Sequence, residues 1–240
     1  MNSHGRVVVS VLALALLQAC AGTKVSQRDT LVKGRLPRPD HIYVYDFAAA
    51  PADVPPESAL TGHPSVSAQP QTPQHIALGR KVGSELAGDL ASEIAAMGLP
   101  AIHVTTPPLL EPNDIAIRGT LLSVVAGSAA ERVVIGFGEG SAELKVAVEG
   151  FEMTANGLRE VGSGTVDTTA NKTPGAAVPL AVAVASGNPI GLIVSTGVKV
   201  YGEESGKTTI EGKVEDVAKA TAEQLRPRFV SAGWIAASPR

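Results

Sequence analysis

The chain has 240 residues, a formal net charge of −3 and a single cysteine. With 23 acidic and 20 basic side chains, it lacks the basic excess that is typical of proteins that bind nucleic acid or adhere to anionic lipid. Aromatic residues make up only 3% of the chain, so a core must be built mainly from Val, Leu, Ile and Ala.

The N-terminal segment has the order of features that is typical of a secretory signal. Arg6 gives the start a positive charge, an unbroken apolar run covers residues 7–17, and Ala19 is a small residue directly before Cys20. The run is shorter than the roughly 20 residues that a helix needs to span a bilayer. We therefore predict a cleaved signal peptide over residues 1–19.

The position of Cys20 predicts that this signal belongs to a lipoprotein. Leu17, Gln18 and Ala19 before it resemble the bacterial lipobox, in which the cysteine thiol receives a diacylglycerol. An ordinary signal peptide with an incidental cysteine is the alternative, but the only cysteine lies directly at the cleavage site, which favours lipidation. The next residue is Ala21 and not an aspartate that would mark inner-membrane retention, so we expect an outer-membrane anchor that faces the periplasm.

The segment after the cysteine is expected to connect the lipid to one domain. Residues 20–40 are polar, which predicts a lipidated N-terminus followed by a flexible tether. A strand over residues 42–47, rich in aromatic and β-branched types, begins a single periplasmic domain over residues 41–235. Residues 48–74 contain six prolines and predict a long loop. Such a loop is either functional or disordered, and its lack of apolar anchors favours disorder.

The clearest helix is predicted over residues 74–97, where apolar side chains recur every four positions. Gly98 suits the left-handed position after a helix, and Pro100 prevents its continuation. A short strand over residues 101–105 follows. The order of these elements predicts a β-α-β unit at the start of the domain.

An antiparallel run of strands is predicted in the next part of the chain. The expected strands cover residues 115–125, 132–137, 142–148 and 158–166. The pair Asn156-Gly157 is a strong two-residue hairpin turn before the last of them.

The strand over residues 142–148 has a clear alternation of polar and apolar side chains. Glu143, Lys145 and Glu149 fall on one side, which predicts a sheet with one face in water. The alternation changes parity after Gly150, so we predict a β-bulge there.

Residues 173–206 contain two nearly continuous apolar pieces, 176–185 and 190–198. As strands, each piece has about the length of a membrane-spanning β-strand. As helices, each has an N-cap residue directly before a proline, at Thr173 and Asn188. The capping signals favour a helical hairpin rich in Ala and Gly. We expect it to pack on its own domain, or to contact another copy or the membrane surface.

A second long amphipathic helix is predicted over residues 211–232, preceded by a capping box of Thr208 and Glu211. Pro227 is expected to kink or end this helix, and Trp234 is expected to anchor the chain end in the core. The fold class that follows is α/β (α+β). It has a mixed, largely antiparallel sheet packed by two long amphipathic helices, together with the apolar hairpin.

Two glycine-rich stretches resemble nucleotide-binding motifs incompletely. Residues 136–140 begin like a dinucleotide fingerprint, but they precede a predicted strand and so lack the helix N-terminus that would hold a pyrophosphate. Residues 202–208 resemble a P-loop that is one residue short and carries two acidic side chains. A turn between strands and a helix end explain these stretches better.

The residue types that could support catalysis or metal binding show no convincing pattern. The histidines considered are His41, His63, His75 and His103, and their spacing offers no zinc site. The carboxylates considered are Asp46, Glu143, Glu149 and Glu152. Alternating charges on a wet sheet face explain the last three without catalysis. We therefore predict no catalytic site, no cofactor and no metal.

Several segments together resemble a family of proteobacterial envelope lipoproteins that is known only as a domain of unknown function. These segments are 42–47, 96–101, 131–138, 187–191 and 233–235. The resemblance covers most of residues 41–235 and implies an envelope location without a known activity, so it implies no functional residues. A weaker similarity, in organisation alone, is to the periplasmic domain of the curli-secretion lipoproteins, which form ring-shaped pores.

These inferences favour a non-enzymatic envelope lipoprotein that acts by binding or self-assembly. Its expected partners are the membrane, through the lipid on Cys20, and another copy or an envelope protein, through residues 173–206. The alternative is a subunit of an oligomeric outer-membrane secretion pore in which the same hairpin is inserted. An envelope enzyme ranks third, and no nucleic-acid partner is expected.

Overall fold

The computed structural model describes residues 24–30, 35–61, 71–126, 142–168, 192–195 and 209–237. Strands β1 to β7 are Lys24–Thr30, Ile42–Tyr45, Ala101–Val104, Ile115–Ala126, Glu143–Thr154, Gly157–Asp167 and Leu192–Ser195. Helices α1 and α2 are Pro73–Ala96 and Ile210–Ala232. These elements confirm the predicted α+β class with a mixed sheet and two long helices.

The described strands form one seven-stranded sheet in the order β1-β6-β5-β4-β2-β3, with β7 paired to β4. Pairing is antiparallel from β1 through β6 and β5 to β4. Pairing is parallel where β2 lies between β4 and β3, and where β7 runs beside the far end of β4. The sheet is therefore antiparallel on one side and parallel on the other.

Helix α1 forms the predicted β-α-β unit between the parallel strands β2 and β3. It begins after Thr72, whose hydroxyl accepts a hydrogen bond of 3.2 Å from the backbone N–H of His75. Pro73 occupies the first turn, where its missing N–H has no intrahelical partner to lose. Gly98 takes the predicted left-handed conformation with φ +84°, which favours glycine.

Helix α2 begins and ends with residues that satisfy its terminal backbone groups. The N-cap is Thr209, whose hydroxyl accepts from the N–H of Gly212, so the predicted cap at Thr208 is wrong by one residue. Pro227 lies inside the helix, which continues to Ala232, so this proline does not end it. Trp234 is buried as predicted, and its indole N–H donates to the carbonyl of Leu36 at 3.0 Å.

Both helices lie against one face of the sheet and contact each other there. The apolar stripe of α1 supplies Leu86, Leu90 and Ile94, which pack with Val217 and Phe229 of α2. The helix-facing side chains of β2, β4 and β5 complete this core, which is almost entirely aliphatic. Neither helix in the described parts of the chain is both long enough and apolar enough to cross a membrane.

The predicted tether is wrong where the structure describes it. Residues 24–30 form β1 and pair antiparallel with β6, so they belong to the sheet. Leu36, in the middle of the connection to β2, is buried in the core. The polar composition of this segment concealed its pairing, because a strand at a sheet edge needs few apolar side chains.

The prediction of disorder is wrong for residues 48–61, which we call the strap. The strap contains a turn of 3₁₀ helix at Pro51–Asp53, and the side chains of Ser58 and Leu60 are buried. The rest of the predicted loop, from 62 to 70, lies outside the described residues.

The predicted helical hairpin is also wrong where it is described. Leu192–Ser195, in the second apolar piece, form β7 and pair parallel with β4. For Leu192–Ser195, pairing with an existing strand satisfies the backbone as well as a helix would. The first apolar piece lies outside the described residues, as does the strand predicted over 132–137.

The predicted hairpin between β5 and β6 is confirmed, with a small change at its turn. Thr154 pairs with Gly157, so the two loop residues are Ala155 and Asn156. Gly157 has φ +105°, which explains why glycine follows the asparagine. The predicted irregularity at Gly150 is present, and the extra residue lies on the partner strand β6.

Candidate functional site

The face of the sheet opposite the helices is covered in part by the strap. Leu60 packs against Leu122 of β4 and Ala147 of β5, with Val54 beside them. This small apolar cluster fixes the strap across two central strands. The side chains around it are polar and buried, which makes this face a candidate site.

Glu149 lies beneath the strap and is only 1% exposed. The hydroxyl of Ser58 donates to its Oε2 at 2.5 Å, and the backbone N–H of Ala59 donates to its Oε1 at 2.8 Å. Burial raises the pKa of the Glu149 carboxyl, while these two hydrogen bonds oppose the shift. The prediction that Glu149 faces water is therefore wrong.

The other carboxylates of the predicted wet face are distributed differently. Glu152 is buried and pairs with Arg159 of the neighbouring strand. Glu143, at the start of β5, is half-buried. The structure therefore does not bring Glu143, Glu149 and Glu152 together as a carboxylate pair or cluster.

Arg118 is the main cation beside Glu149. Its side chain is 12% exposed, and its Nη1 lies 2.5 Å from a carboxylate oxygen of Glu57 in the strap. The guanidinium lies over the rings of Tyr45 at 5.0 Å and Phe151 at 5.8 Å. Its Nε is buried and has no hydrogen-bond partner. Arg118 thus links the strap to the aromatic side chains of this face.

A polar groove of about 590 Å³ opens where β2 and β3 end, between these strand ends and the strap. The carboxyl ends of parallel strands are a common position for ligand sites. Three ion pairs surround this groove: Asp46–His103, Asp53–Arg80 and Glu57–Arg118. Each pair joins different segments of the chain. The charged side chains around the groove therefore pair largely with one another.

Asp46 and His103, two of the residues considered from the sequence, meet beside this groove. Nε2 of His103 lies 2.6 Å from Oδ1 of Asp46, while Nδ1 lies next to Gly88 of α1, within 3.6 Å of where a Cβ would be. Asp46 lines the groove, whereas His103 is not part of its lining. This pair holds the end of β3 against the end of β2.

The other candidate histidines lie apart from His103. His41 pairs with the buried Asp114 before β4, and His75 lies in the first turn of α1. His63 lies outside the described residues. Within the described ranges, no three His, Cys, Asp or Glu side chains are grouped so that they could hold a metal ion.

An apolar cavity of about 130 Å³ lies on the other face, between the sheet and α2. Its lining includes Leu36, Ile115, Ile117, Val148, Gly150, Val161, Gly162, Gly164, Val166, Leu225, Phe229 and Trp234, with Ser163, Thr221, Gln224 and Arg228 as its polar members. Sequence reasoning missed this cavity. The sequence feature that indicates this cavity is the set of glycines that recur on two neighbouring strands.

The remaining predicted features lie outside the described residues. They are the lipidation site Cys20, the glycine-rich stretches 136–140 and 202–208, and the apolar piece 176–185.

Comparison with known proteins places the chain in a family without an assigned function. No curated protein matches it. Among solved structures, a PelC dodecamer from Paraburkholderia phytofirmans is similar at 14% identity and a TM-score of 0.35, over 60% of this chain and 78% of that one. Similarity at this level does not establish a shared function. Residues 42–187 match the family described as Domain of unknown function (DUF4410), and the chain belongs to that family.

Proposed function

We propose that this chain is a lipid-anchored protein of the bacterial envelope that faces the periplasm from the outer membrane and acts by binding. The apolar cavity between the sheet and α2 carries the binding role. Its described lining is mostly aliphatic carbon and glycine, with Arg228 as its one charged residue. Such a lining suits an apolar group and supplies no paired acid and base for catalysis.

The envelope location is supported by the N-terminal sequence, in which Cys20 directly follows a signal-like segment. Strand β1 begins only four residues later, at Lys24. Four extended residues span about 14 Å, so an acyl anchor on Cys20 would hold the sheet close to the membrane surface. This differs from the long flexible tether that polar composition predicted.

The anchor is tested by growing cells with labelled palmitate and separating their membranes. The parent chain is expected to incorporate label and to sediment with the outer membrane. Cys20→Ser removes the only thiol and should abolish labelling. Ala21→Ser, which also introduces a hydroxyl but leaves the thiol, is the control. A Cys20→Ser chain that incorporates as much palmitate as the parent would refute the anchor.

The binding role is tested with residues 21–240, which contain every described element and lack Cys20. Benzene, which a dry apolar cavity of about 150 Å³ accepts, is the probe, and titration calorimetry measures its binding. Val161→Phe places a ring in the cavity and should weaken benzene binding at least tenfold. Val230→Phe makes the same change on α2 outside the cavity lining and should leave binding unchanged. Equal benzene binding by both variants, each shown to be folded, would refute the cavity as the site.

A second candidate function is self-assembly, as in the predicted oligomeric secretion subunit. One observation favours it: the edge strand β3 exposes Ile102, and the segment after it exposes Leu109. Exposed apolar side chains at a sheet edge favour association with another chain. The mass of the lipid-free chain in solution tests this candidate, which requires an oligomer that Leu109→Glu weakens. A monomer at every concentration would exclude it.

A further inference from the structure

We infer that the apolar cavity binds one aromatic ring that carries a neutral hydrogen-bond donor, as phenol does, and that the hydroxyl oxygen of Thr221 accepts this hydrogen bond. The inference depends on the proposed binding role and names the class of ligand. Three features carry it: the volume of the cavity, its aromatic and aliphatic lining, and the bonding of its few polar side chains.

The cavity exists because three glycines meet on the helix-facing side of two neighbouring strands. Gly150 of β5 pairs with Gly162 of β6, and Val148, which packs against the core, pairs with Gly164. All three glycines line the cavity. The sheet therefore lacks side chains at three adjacent positions opposite α2, and the register of the two strands creates the space.

The volume of the cavity, about 130 Å³, limits the ligand to one small ring. A dry apolar cavity of roughly 150 Å³ accepts benzene. Phenol adds a single oxygen atom to that ring, whereas a second fused ring or a long alkyl chain would exceed the space. Gln224 lines the cavity and is exposed, so the space reaches solvent beside this residue.

The apolar part of the lining favours an aromatic ligand. Phe229 and Trp234 stack with their centroids 5.3 Å apart, and Leu36 and Leu225 line the same space. The indole N–H of Trp234 donates to the carbonyl of Leu36, so this ring offers its carbon atoms to a ligand. Aromatic rings pack well against one another in offset or edge-to-face arrangements.

Thr221 supplies a hydrogen-bond acceptor within this apolar lining. It is only 5% exposed, and its hydroxyl donates to the carbonyl of Val217 at 2.7 Å. A hydroxyl has one proton and two lone pairs, so its proton is used inside α2 while its capacity to accept remains. A ligand can therefore donate to Thr221, but it could accept from Thr221 only if the bond inside the helix were broken.

The other polar residues of the lining favour a neutral ligand. Arg228 already interacts with other groups of the fold. Ser163 pairs across the strands with Glu149, which faces the strap, so the Ser163 side chain points away from the cavity. Gln224 is an uncharged amide, one helical turn from Thr221. A charged ligand would lose its hydration in this lining without gaining a partner ion.

The test compares benzene, phenol and pyridine binding to residues 21–240 by titration calorimetry at about pH 8, where all three are neutral. The rings are similar in size, but phenol can donate a hydrogen bond, pyridine can only accept one, and benzene does neither. The parent is expected to bind phenol at least as tightly as benzene, and pyridine several-fold more weakly than phenol. Phenol binding no tighter than pyridine binding would overturn the preference for a donor.

The role of Thr221 is tested with a pair of matched variants. Thr221→Val removes the hydroxyl and nearly keeps the shape of the side chain, while Thr221→Ser keeps the hydroxyl and is the control. Thr221→Val should weaken phenol binding about fivefold or more and leave benzene binding unchanged, since one hydrogen bond is lost. Thr221→Ser should bind phenol nearly as the parent does. Unchanged phenol binding in Thr221→Val, or an equal loss of phenol and benzene, would overturn this role.

Both variants are first compared with the parent by circular dichroism and urea unfolding, so that loss of fold is not mistaken for loss of the acceptor. The comparison of the three ligands in the parent depends on no variant. Benzene binding without phenol binding would refute this inference while leaving the proposed function standing. If the parent bound none of the three ligands, both proposals would fail.

Discussion

The two faces of the sheet bury their side chains in different ways. The helix face presents aliphatic residues of β2, β4 and β5 to the apolar stripes of α1 and α2. The strap face presents Arg118, Thr120 and Glu149 to a segment of irregular structure. The first face is a hydrocarbon core, while the second is a set of polar side chains that need specific partners.

This difference determines which substitutions matter on each face. Apolar burial is non-directional and roughly proportional to area, so the helix face depends on volume and shape. A buried polar group is tolerated only with its hydrogen-bond partner in place, so the strap face depends on single donors such as Ser58. The two faces should therefore respond differently to the removal of a few atoms.

The largest effect is expected for Leu90→Ala on the helix face. Leu90 is fully buried between α1 and the sheet, and its truncation leaves a cavity that the packed surroundings fill only partly. We expect a loss of about 2–5 kcal/mol in the free energy of unfolding, measured in urea. Leu109→Ala is the matched control, because Leu109 is 92% exposed, and should change stability by less than about 0.5 kcal/mol. Similar losses for both variants would contradict the assignment of the core.

A smaller effect is expected for Ser58→Ala on the strap face. This change removes one hydroxyl donor from the buried carboxyl of Glu149 and hardly alters volume. We expect a loss of about 1–3 kcal/mol, since the acceptor loses a partner that water does not replace. Ser92→Ala, which removes an exposed hydroxyl bonded within α1, is the control and should be nearly neutral. If the two serine variants unfolded at the same urea concentration, the strap would not hold Glu149 in solution.

The helix face was the part of the fold that could be predicted from the sequence. The apolar period of α1 and the glycine after it depend on neighbours a few residues away, so α1 was predicted to within one residue at each end. The strap was predicted as disordered because its order depends on distant residues. The sequence around Leu60 shows no periodic pattern of apolar residues, yet Leu60 packs against Leu122 and Ala147.

Dependence on residues that are distant in sequence also explains which parts of the site were missed. Glu149 alternates with apolar residues in β5 as a solvent-facing side chain would, and only the strap covers it. The cavity was missed because its cause is an absence of side chains at Gly150, Gly162 and Gly164, which become neighbours only once the register of β5 and β6 is known. Gly150 alone predicted an irregular strand and not a cavity.

The smallest and most specific effect concerns the pH dependence of Glu149→Gln. Burial raises the pKa of Glu149 in the folded chain, so the folded state holds this proton more tightly than the unfolded state does. The stability from this linkage is present below the unfolded pKa, about 4.3, and is lost as the pH rises through the folded pKa. Glutamine has no such proton to lose. The parent's stability minus that of Glu149→Gln should therefore fall as the pH rises from about 4.

Urea unfolding of the parent and of Glu149→Gln at a series of pH values from about 4 upwards measures this difference in stability. The control is Glu223→Gln on the surface of α2, which shows how much pH dependence an exposed carboxylate contributes. A difference that rises with pH would mean that the hydrogen bonds from Ser58 and Ala59 stabilise the ionised carboxylate by more than burial destabilises it. The strap would then hold an anion against the sheet, and the strap face would depend on charge where the helix face depends on volume.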